Sequence, residues 1–304
     1  MYKKILVPLD CSELAEVALP YAEELAGRLG SEVILLHVCE SAEEQYHNMH
    51  QLYMQKMVGA TKRGVKKYLE QPGATSINVR SAILFGHPAE QILDYADKER
   101  IDLIVIATHG LSGIRRWVLG SVADKVVNAA KQPLVLIRAS DTHHHVLEKG
   151  RMNKMLLTLD GSKESEAVIP YIEELASRLN GEVVLFQAVP PPSPVYAVPG
   201  YTGQIPYTPA QVELWKVEAE AYLKNVADGF KSKRIKVRSQ VRVGDTAHEI
   251  IKLANEVHVD LVAMSTHGRS GISRWALGST ADKVLRAGNT SLFLVRAGGA
   301  KNGW

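Results

Sequence analysis

One stretch of this chain occurs twice. Ile101–Asn128 reads IDLIVIATHGLSGIRRWVLGSVADKVVN and Val259–Arg286 reads VDLVAMSTHGRSGISRWALGSTADKVLR; aligned without a gap they share 17 of 28 residues, where chance gives roughly two. Each opens as a short apolar run, the pattern of a strand covered on both faces. Each then passes through Thr-His-Gly and a glycine-rich loop to Gly-Ser and a helical stretch. The two copies stand 158 residues apart, a domain-sized spacing well beyond the roughly 20 to 50 residues of a solenoid period. The chain must therefore fold as two copies of one unit.

The flanking sequence supplies the rest of that unit. Lys3–Asp10 (KKILVPLD) is a buried strand ending at Asp10, and Ser12 is placed to cap a helix with Glu13 in its first turn. Leu14, Ala18, Ala22, Leu25 and Leu29 recur at helical spacing, Pro20 should kink that helix, and Gly30 ends it. Glu32–Val38 is the second strand, Ser76–Phe85 the third, Asp102–Ala107 the fourth and Pro133–Arg138 the fifth. Between them, Glu40–Met57 reads as a polar surface excursion, Gly59–Glu70 as a helix, and Pro88 to about Arg100 as another. Five strands alternating with four helices predict a doubly wound α/β domain. The second half repeats the series: Lys154–Asp160, Ser162–Leu179 with Pro170 for Pro20, Glu182–Ala188, Ile235–Val243 and Leu292–Arg296. It differs most at Pro190–Pro209, a Pro/Gly/Tyr-rich segment expected to be extended and exposed. The domains are expected at 1–140 and 153–298, joined by a linker at 141–152. The run His143–His145 in that linker reads as solvated, with metal binding as the alternative.

Composition narrows the function. The formal charge is only +3, with 23% charged residues scattered along the chain, whereas nucleic-acid binders concentrate their basic residues on one face. No apolar run approaches the roughly 18 residues of a membrane span. The start, MYKKILVPLD, enters a strand directly without the pattern of a signal peptide. Two cysteines, Cys11 and Cys39, are too few for a disulfide framework. A cytoplasmic location is expected.

The candidate chemistry clusters at the duplicated loop. Gly110, Gly113 and Gly120 correspond to Gly268, Gly271 and Gly278. Glycine lets backbone approach an anion closely, and a helix N-terminus adds N–H groups and a favourable dipole. Ser121-x-x-Asp124 and Ser279-x-x-Asp282 are also capping boxes, so each serine can start a helix, hold a phosphate, or both. Asp10 and Asp160 end the first strands, where open α/β sheets bind ligands. Each suits a ribose hydroxyl or an adenine amino group, or else caps the following turn. His109 and His267 are candidate phosphate donors or acid–base groups, or structural turn residues. Arg115, Arg116 and Arg274 flank the loops and could contact phosphate. Cys11 and Cys39 fall at the ends of adjacent strands, which permits a redox pair or simple packing. No Walker loop and no dinucleotide fingerprint occurs; Pro8-Leu9-Asp10 stands where glycines would be required.

These residues resemble the universal stress protein family in its tandem form. Its ATP-binding members carry G-x2-G-x9-G-[ST] after the fourth strand. Here the second glycine is Gly110 or Gly268, the third Gly120 or Gly278, and the hydroxyl Ser121 or Ser279. The first glycine is replaced by Ala107 and Ser265. The resemblance implies that Asp10 and Asp160 lie against adenosine and that Val38 and Ala188 line the adenine pocket. The family's Val-Pro-x-Asp is kept as Val7–Asp10, while Thr158 replaces Pro8 in the second copy. It also implies two Rossmann-like five-stranded parallel sheets of order 3-2-1-4-5, joined through their fifth strands as a pseudo-twofold dimer. The function implied is binding of ATP or another adenine nucleotide, with Mg or Mn carried by the phosphates, in stress response or signalling to a protein partner. A slow ATP hydrolase on the same site and a nucleotide-free interaction module remain open, as does a homodimer of the tandem chain.

Overall fold

The computed structural model describes residues 1–40, 44–69, 77–108, 119–138, 152–192, 208–268 and 277–297. In the first half, β1 (Lys4–Leu9), β2 (Glu32–Cys39), β3 (Val79–Phe85), β4 (Leu103–Ala107) and β5 (Leu134–Ile137) alternate with helices. These helices are α1 (Glu13–Glu16), α2 (Leu19–Leu29), α3 (Glu44–Lys66), α4 (Pro88–Lys98) and α5 (Ser121–Ala129). The second half repeats them as β6 (Lys154–Thr158), α6 (Lys163–Glu166), α7 (Ile169–Leu179), β7 (Glu182–Val189) and α8 (Pro209–Ser232). It closes with β8 (Lys236–Val243), α9 (Thr246–Glu256), β9 (Leu261–Ser265), α10 (Ser279–Ala287) and β10 (Ser291–Val295). The strands form one ten-stranded sheet in the order β3-β2-β1-β4-β5-β10-β9-β6-β7-β8. Each half thus keeps the order 3-2-1-4-5, and its strands are parallel. The halves meet where β5 and β10 pair antiparallel, Leu292 opposite Leu136 and Leu294 opposite Leu134.

Two sequence expectations need correction. A single kinked helix was expected over Leu14–Leu29, but the chain makes a short α1 and then restarts as α2 with Pro20 in its first turn. A proline inside the helix would leave a carbonyl unpaired and clash with the preceding turn; in the first turn its missing N–H has no partner to lose. Pro170 has the same effect between α6 and α7. The expected surface excursion after β2 is instead mostly the long α3, which absorbs the start of the predicted Gly59–Glu70 helix. Its apolar residues are sparse along the segment, yet Met54, Met57 and Val65 are buried against the sheet. Tertiary packing rather than periodicity makes this helix. Most of the predicted loop Pro190–Pro209, and the linker with His143–His145, lie outside the described residues.

The core has two layers, one on each face of the sheet, and each runs through both halves. Odd strand positions such as Ile5, Val7, Leu157 and Phe293 pack under α2, α3, α7 and α8. Even positions such as Leu6, Leu36, Leu156 and Leu292 pack under α4, α5, α9 and α10. The same polar brackets recur in each copy. Asp102 Oδ2 accepts from the N–H groups of Lys3 and Lys4, both at 2.9 Å, and Asp260 Oδ2 from those of Asn153 and Lys154 at 3.0 and 2.8 Å. No helix among the described residues is long and apolar enough to cross a membrane.

At the junction, Phe293 on β10 meets Tyr2 edge-on, with ring centroids 6.5 Å apart, and lies 6.2 Å from Tyr171 on α7. Tyr2 donates its hydroxyl to the Tyr171 carbonyl at 2.9 Å. Phe293 is fully buried, so Phe293→Ala should lower unfolding free energy by about 3–5 kcal/mol. Urea denaturation followed by circular dichroism measures this. A loss below about 1 kcal/mol would mean the two halves do not depend on this contact.

Candidate functional site

In each half the first and fourth strands part towards their C-terminal ends, and in the second half a cleft opens there. β1 and β4 are paired only at Ile5–Leu103 and Leu6–Ile104. Pro8 and Asp10 therefore run on past that ladder, which is why a proline is tolerated in a central strand. In the second half β6 and β9 pair as far as Leu157–Ala263, and Thr158, standing in for Pro8, donates Oγ1 to the Ala263 carbonyl at 3.4 Å. Such a divergence is the switch point at which open α/β sheets take ligands.

The strand-one aspartates close identical turns. Asp10 Oδ1 accepts from Ser12 N at 3.0 Å and Ser12 Oγ at 2.6 Å; Asp160 Oδ1 accepts from Ser162 N at 2.9 Å and Ser162 Oγ at 2.5 Å. The capping alternative is therefore realised through one oxygen. The other carboxylate oxygen, Asp160 Oδ2, lies against Gly268, where a Cβ would stand only 2.3 Å from it. A side chain at 268 would have to displace that carboxylate oxygen.

Above the second turn is a cleft with a cavity volume of about 190 Å³, far more than the roughly 10–15 Å³ that one water needs. It brings together Asp160, Ala188, Ser265, His267, Gly268, Gly278 and Ser279. Also on its wall are Phe186, Thr246, Ile250, Met264 and Thr266, which sequence reasoning missed. Phe186 was recoverable, since it shares a face of β7 with Ala188 by strand alternation. Thr246 carried no signal of its own. In the first half, Pro8, Asp10, Val38, Ala107, Gly120 and Ser121 occupy the matching positions at the ends of β1, β2 and β4 and the start of α5. His109, Gly110, Gly113, Arg115 and Arg116, with Gly271 and Arg274 of the second half, lie outside the described residues.

The glycine and serine expectations are only partly met. Gly120 N donates to the Thr108 carbonyl and Gly278 N to the Thr266 carbonyl, both at 2.8 Å. These amides close the base of the loop and do not face a ligand. Neither capping box forms: Gly120 and Gly278 are the N-caps, without a side-chain cap, and Ser121 and Ser279 are the first helical residues. Asp282 turns instead to Arg286 at 2.8 Å, and Asp124 lies 3.4 Å from the same guanidinium. The box fails because glycine offers no side chain at the capping position and the acid finds a cation. The consequence suits an anion: Ser279, Thr280 and Ala281 all line the cleft, and the first-turn amides of a helix have no intrahelical partner.

His267 supplies a second indication. Its Nδ1 is 2.9 Å from Thr266 Oγ1, while Nε2 is buried with no hydrogen-bond partner among the described residues. Such an atom costs about 1–3 kcal/mol unless something completes it.

The sequence model of the Universal stress protein family matches residues 1–138 and 152–296. A universal stress protein of Mycolicibacterium smegmatis is 23% identical over 309 residues, covering 96% of each chain. One of Methanocaldococcus jannaschii is 29% identical over 162 residues, 47% of this chain and 98% of its own length. The crystal structure of a universal stress protein from Archaeoglobus fulgidus superposes with a TM-score of 0.67 at 17% identity, covering 98% of this chain and 97% of that one. At that identity the superposition speaks to the fold.

One wall of the cleft depends on the start of α9. Asp245 caps it by accepting from His248 N at 3.0 Å. That bond, with Lys283 at 3.6 Å, holds the carboxyl below its ordinary value. A depressed carboxylate contributes stability that is complete above the unfolded pKa, about 3.9, and is lost as pH falls through the folded value. Asp245→Ala should cost about 1 kcal/mol at pH 7, and the difference from wild type should shrink in acid. Urea denaturation of both proteins across pH 3–7 measures it; a gap that stays constant would exclude the charge as its source.

Proposed function

The chain belongs to the universal stress protein family, and from that premise we propose that it binds ATP or another adenine nucleotide, with one site in each of two domains, 1–140 and 153–298. Nucleotide occupancy would be read by a protein partner in stress response or signalling. The observation that carries this reading is the second-half cleft, where three unlike requirements of a nucleotide meet. Asp160 ends the first strand as an acceptor for a ribose or adenine donor, and Phe186, Ala188 and Met264 supply an apolar wall for a base. The uncapped first turn of α10, with Ser279, lines the part of the cleft that would take a polyphosphate. Anion binding here rests on backbone dipoles and needs no Walker lysine. A divalent cation, Mg or Mn, would arrive bound to the phosphates. The first half repeats the Asp10 turn and the Gly120–Ser121 helix start, which supports a second site with Val38 and Ala107 on its apolar side.

Calorimetry with ATP, AMP and an unrelated nucleotide, on protein freed of copurified ligand, tests the proposal. Binding of adenine nucleotides is expected. Asp160→Ala should weaken the second-half site by about 10- to 100-fold, the worth of a charged hydrogen bond. Gly268→Ala should do so too, by pushing a methyl group into the Asp160 carboxylate. Absence of heat with any nucleotide would leave an interaction module. Turnover well above background that disappears in His267→Ala would make the site an ATP hydrolase.

A further inference from the structure

On the face of the sheet opposite the Val38 side, under α3, four soft donors converge at the end of β2. His37 and Cys39 alternate along β2 and so share one face. Cys11 follows β1, and His50 comes from the second turn of α3. Cys11 Sγ lies 3.8 Å from His37 Nδ1 and 3.9 Å from His37 Nε2, and Cys39 Sγ lies 3.0 Å from His50 Nδ1. One ligand atom each from Cys11, His37 and His50 falls within 4.8 Å of the others. The two imidazoles are 4.6 Å apart at 67°. We propose that Cys11, His37, Cys39 and His50 bind one zinc ion in the first half of this chain.

Four observations carry the assignment. The first is spacing: bond lengths of about 2.0–2.3 Å place tetrahedral ligands about 3.3–3.8 Å apart; Cys11, His37 and His50 already lie within 4.8 Å of one another, and Cys39, 3.0 Å from His50, joins them by side-chain rotation. The second is orientation. His37 Nδ1 lies 2.9 Å from the Leu9 carbonyl; donating its proton there leaves Nε2 as the lone-pair nitrogen, as a metal-bound imidazole requires.

The third observation is the duplicate. Residues Gly161, Gln187 and Val189 take the places of Cys11, His37 and Cys39 in the second half. Tyr53 donates to Glu16 and Tyr222 to Glu166 in the same way, which registers α3 on α8 and sets Ala219 opposite His50. There Val189 and Ala219 pack with Val212 as a small apolar cluster. Of the four matching positions the second half keeps one polar side chain, Gln187, and no cysteine or histidine, whereas the first half has four potential ligands there. The fourth is backbone conformation. Cys11 holds φ 68°, a left-handed conformation that its counterpart Gly161 adopts at φ 80°. A cysteine at a position suited to glycine is disfavoured unless its side chain is used.

Two thiols and two imidazoles select a borderline-soft cation, and four protein ligands make a closed, structural zinc site. On binding, each thiol releases its proton to solvent and coordinates as thiolate. Cys11 belongs to the Asp10–Ser12 turn, while His37 and Cys39 lie on the opposite face of β2 from Val38; the assignment does not require that the clefts bind nucleotide.

The test uses the full chain, stripped with a chelator under reducing conditions and titrated with Zn²⁺ and with Co²⁺ as a spectroscopic probe. The expected result is one metal per chain, thiolate-to-cobalt charge transfer with a tetrahedral ligand field, and a raised Tm. Cys39→Ser and His50→Ala should each weaken Zn²⁺ by at least about tenfold, since even outer-shell changes cost that much. Cys11→Gly copies the second half and relieves the left-handed conformation; it should lose metal while the metal-free protein stays folded. Asp160→Ala should leave the stoichiometry unchanged. Metal binding that persists in the double variant Cys11→Ser/Cys39→Ser, or a cobalt spectrum without thiolate bands, would overturn the assignment. So would reduced wild-type protein that takes up no zinc.

Discussion

A parallel five-stranded sheet has an edge problem, and its solution shapes this molecule. β5 and β10 are buried along their whole lengths; alone, each would offer unpaired backbone and apolar side chains to solvent. Pairing them antiparallel removes both edges at once and creates a pseudo-twofold axis between the copies. The arginines that follow these strands reinforce the junction. Arg138 donates to the carbonyls of Thr290 and Leu285 at the end of α10, and Arg296 to that of Asn128 near the end of α5. A cation at a helix C-terminus meets the negative end of the dipole and satisfies carbonyls that lack partners. Burial lowers the pKa of Arg138 to about 10, so it remains charged through the neutral range.

With the edges joined, the free C-terminal ends of β1, β4, β6 and β9 point to the clefts, and duplication preserves what a cleft needs mechanically. The Asp–Ser turn, the bond from Gly120 or Gly278 to a threonine carbonyl, and the uncapped helix start recur with nearly equal geometry. Elsewhere the copies diverge. Thr158 replaces Pro8, and a Cys/His cluster replaces the apolar contacts of Val189 and Ala219. The first half thus carries a Cys/His cluster where the second half has apolar contacts.

The doubling, the succession of strands and helices and the turns at Asp10 and Asp160 were legible because each has a local cause, whereas the order 3-2-1-4-5 was implied only by the family resemblance. Buried parallel strands are unbroken apolar runs, and a chain crossing at a switch point ends its strands in short polar turns. The long α3 was not legible, because its sparse apolar residues gain their burial only from the sheet beneath. The capping boxes were misread for a related reason. Ser121 and Ser279 have the spacing of a box, but which residue caps a helix is settled by the path of the chain entering it, and that path is fixed by the Thr108 and Thr266 carbonyls.

By itself, then, the amino-acid order determined two copies of a doubly wound unit. Periodicity and turn chemistry act over a few residues and survive without knowledge of neighbours. Only the tertiary structure decided that Gly278 rather than Ser279 is the N-cap of α10 and that Gly268 lies against Asp160. It alone brought Cys11, His37, Cys39 and His50 to one point. Such contacts join segments far apart in the chain, and their distances depend on how helices settle on a sheet.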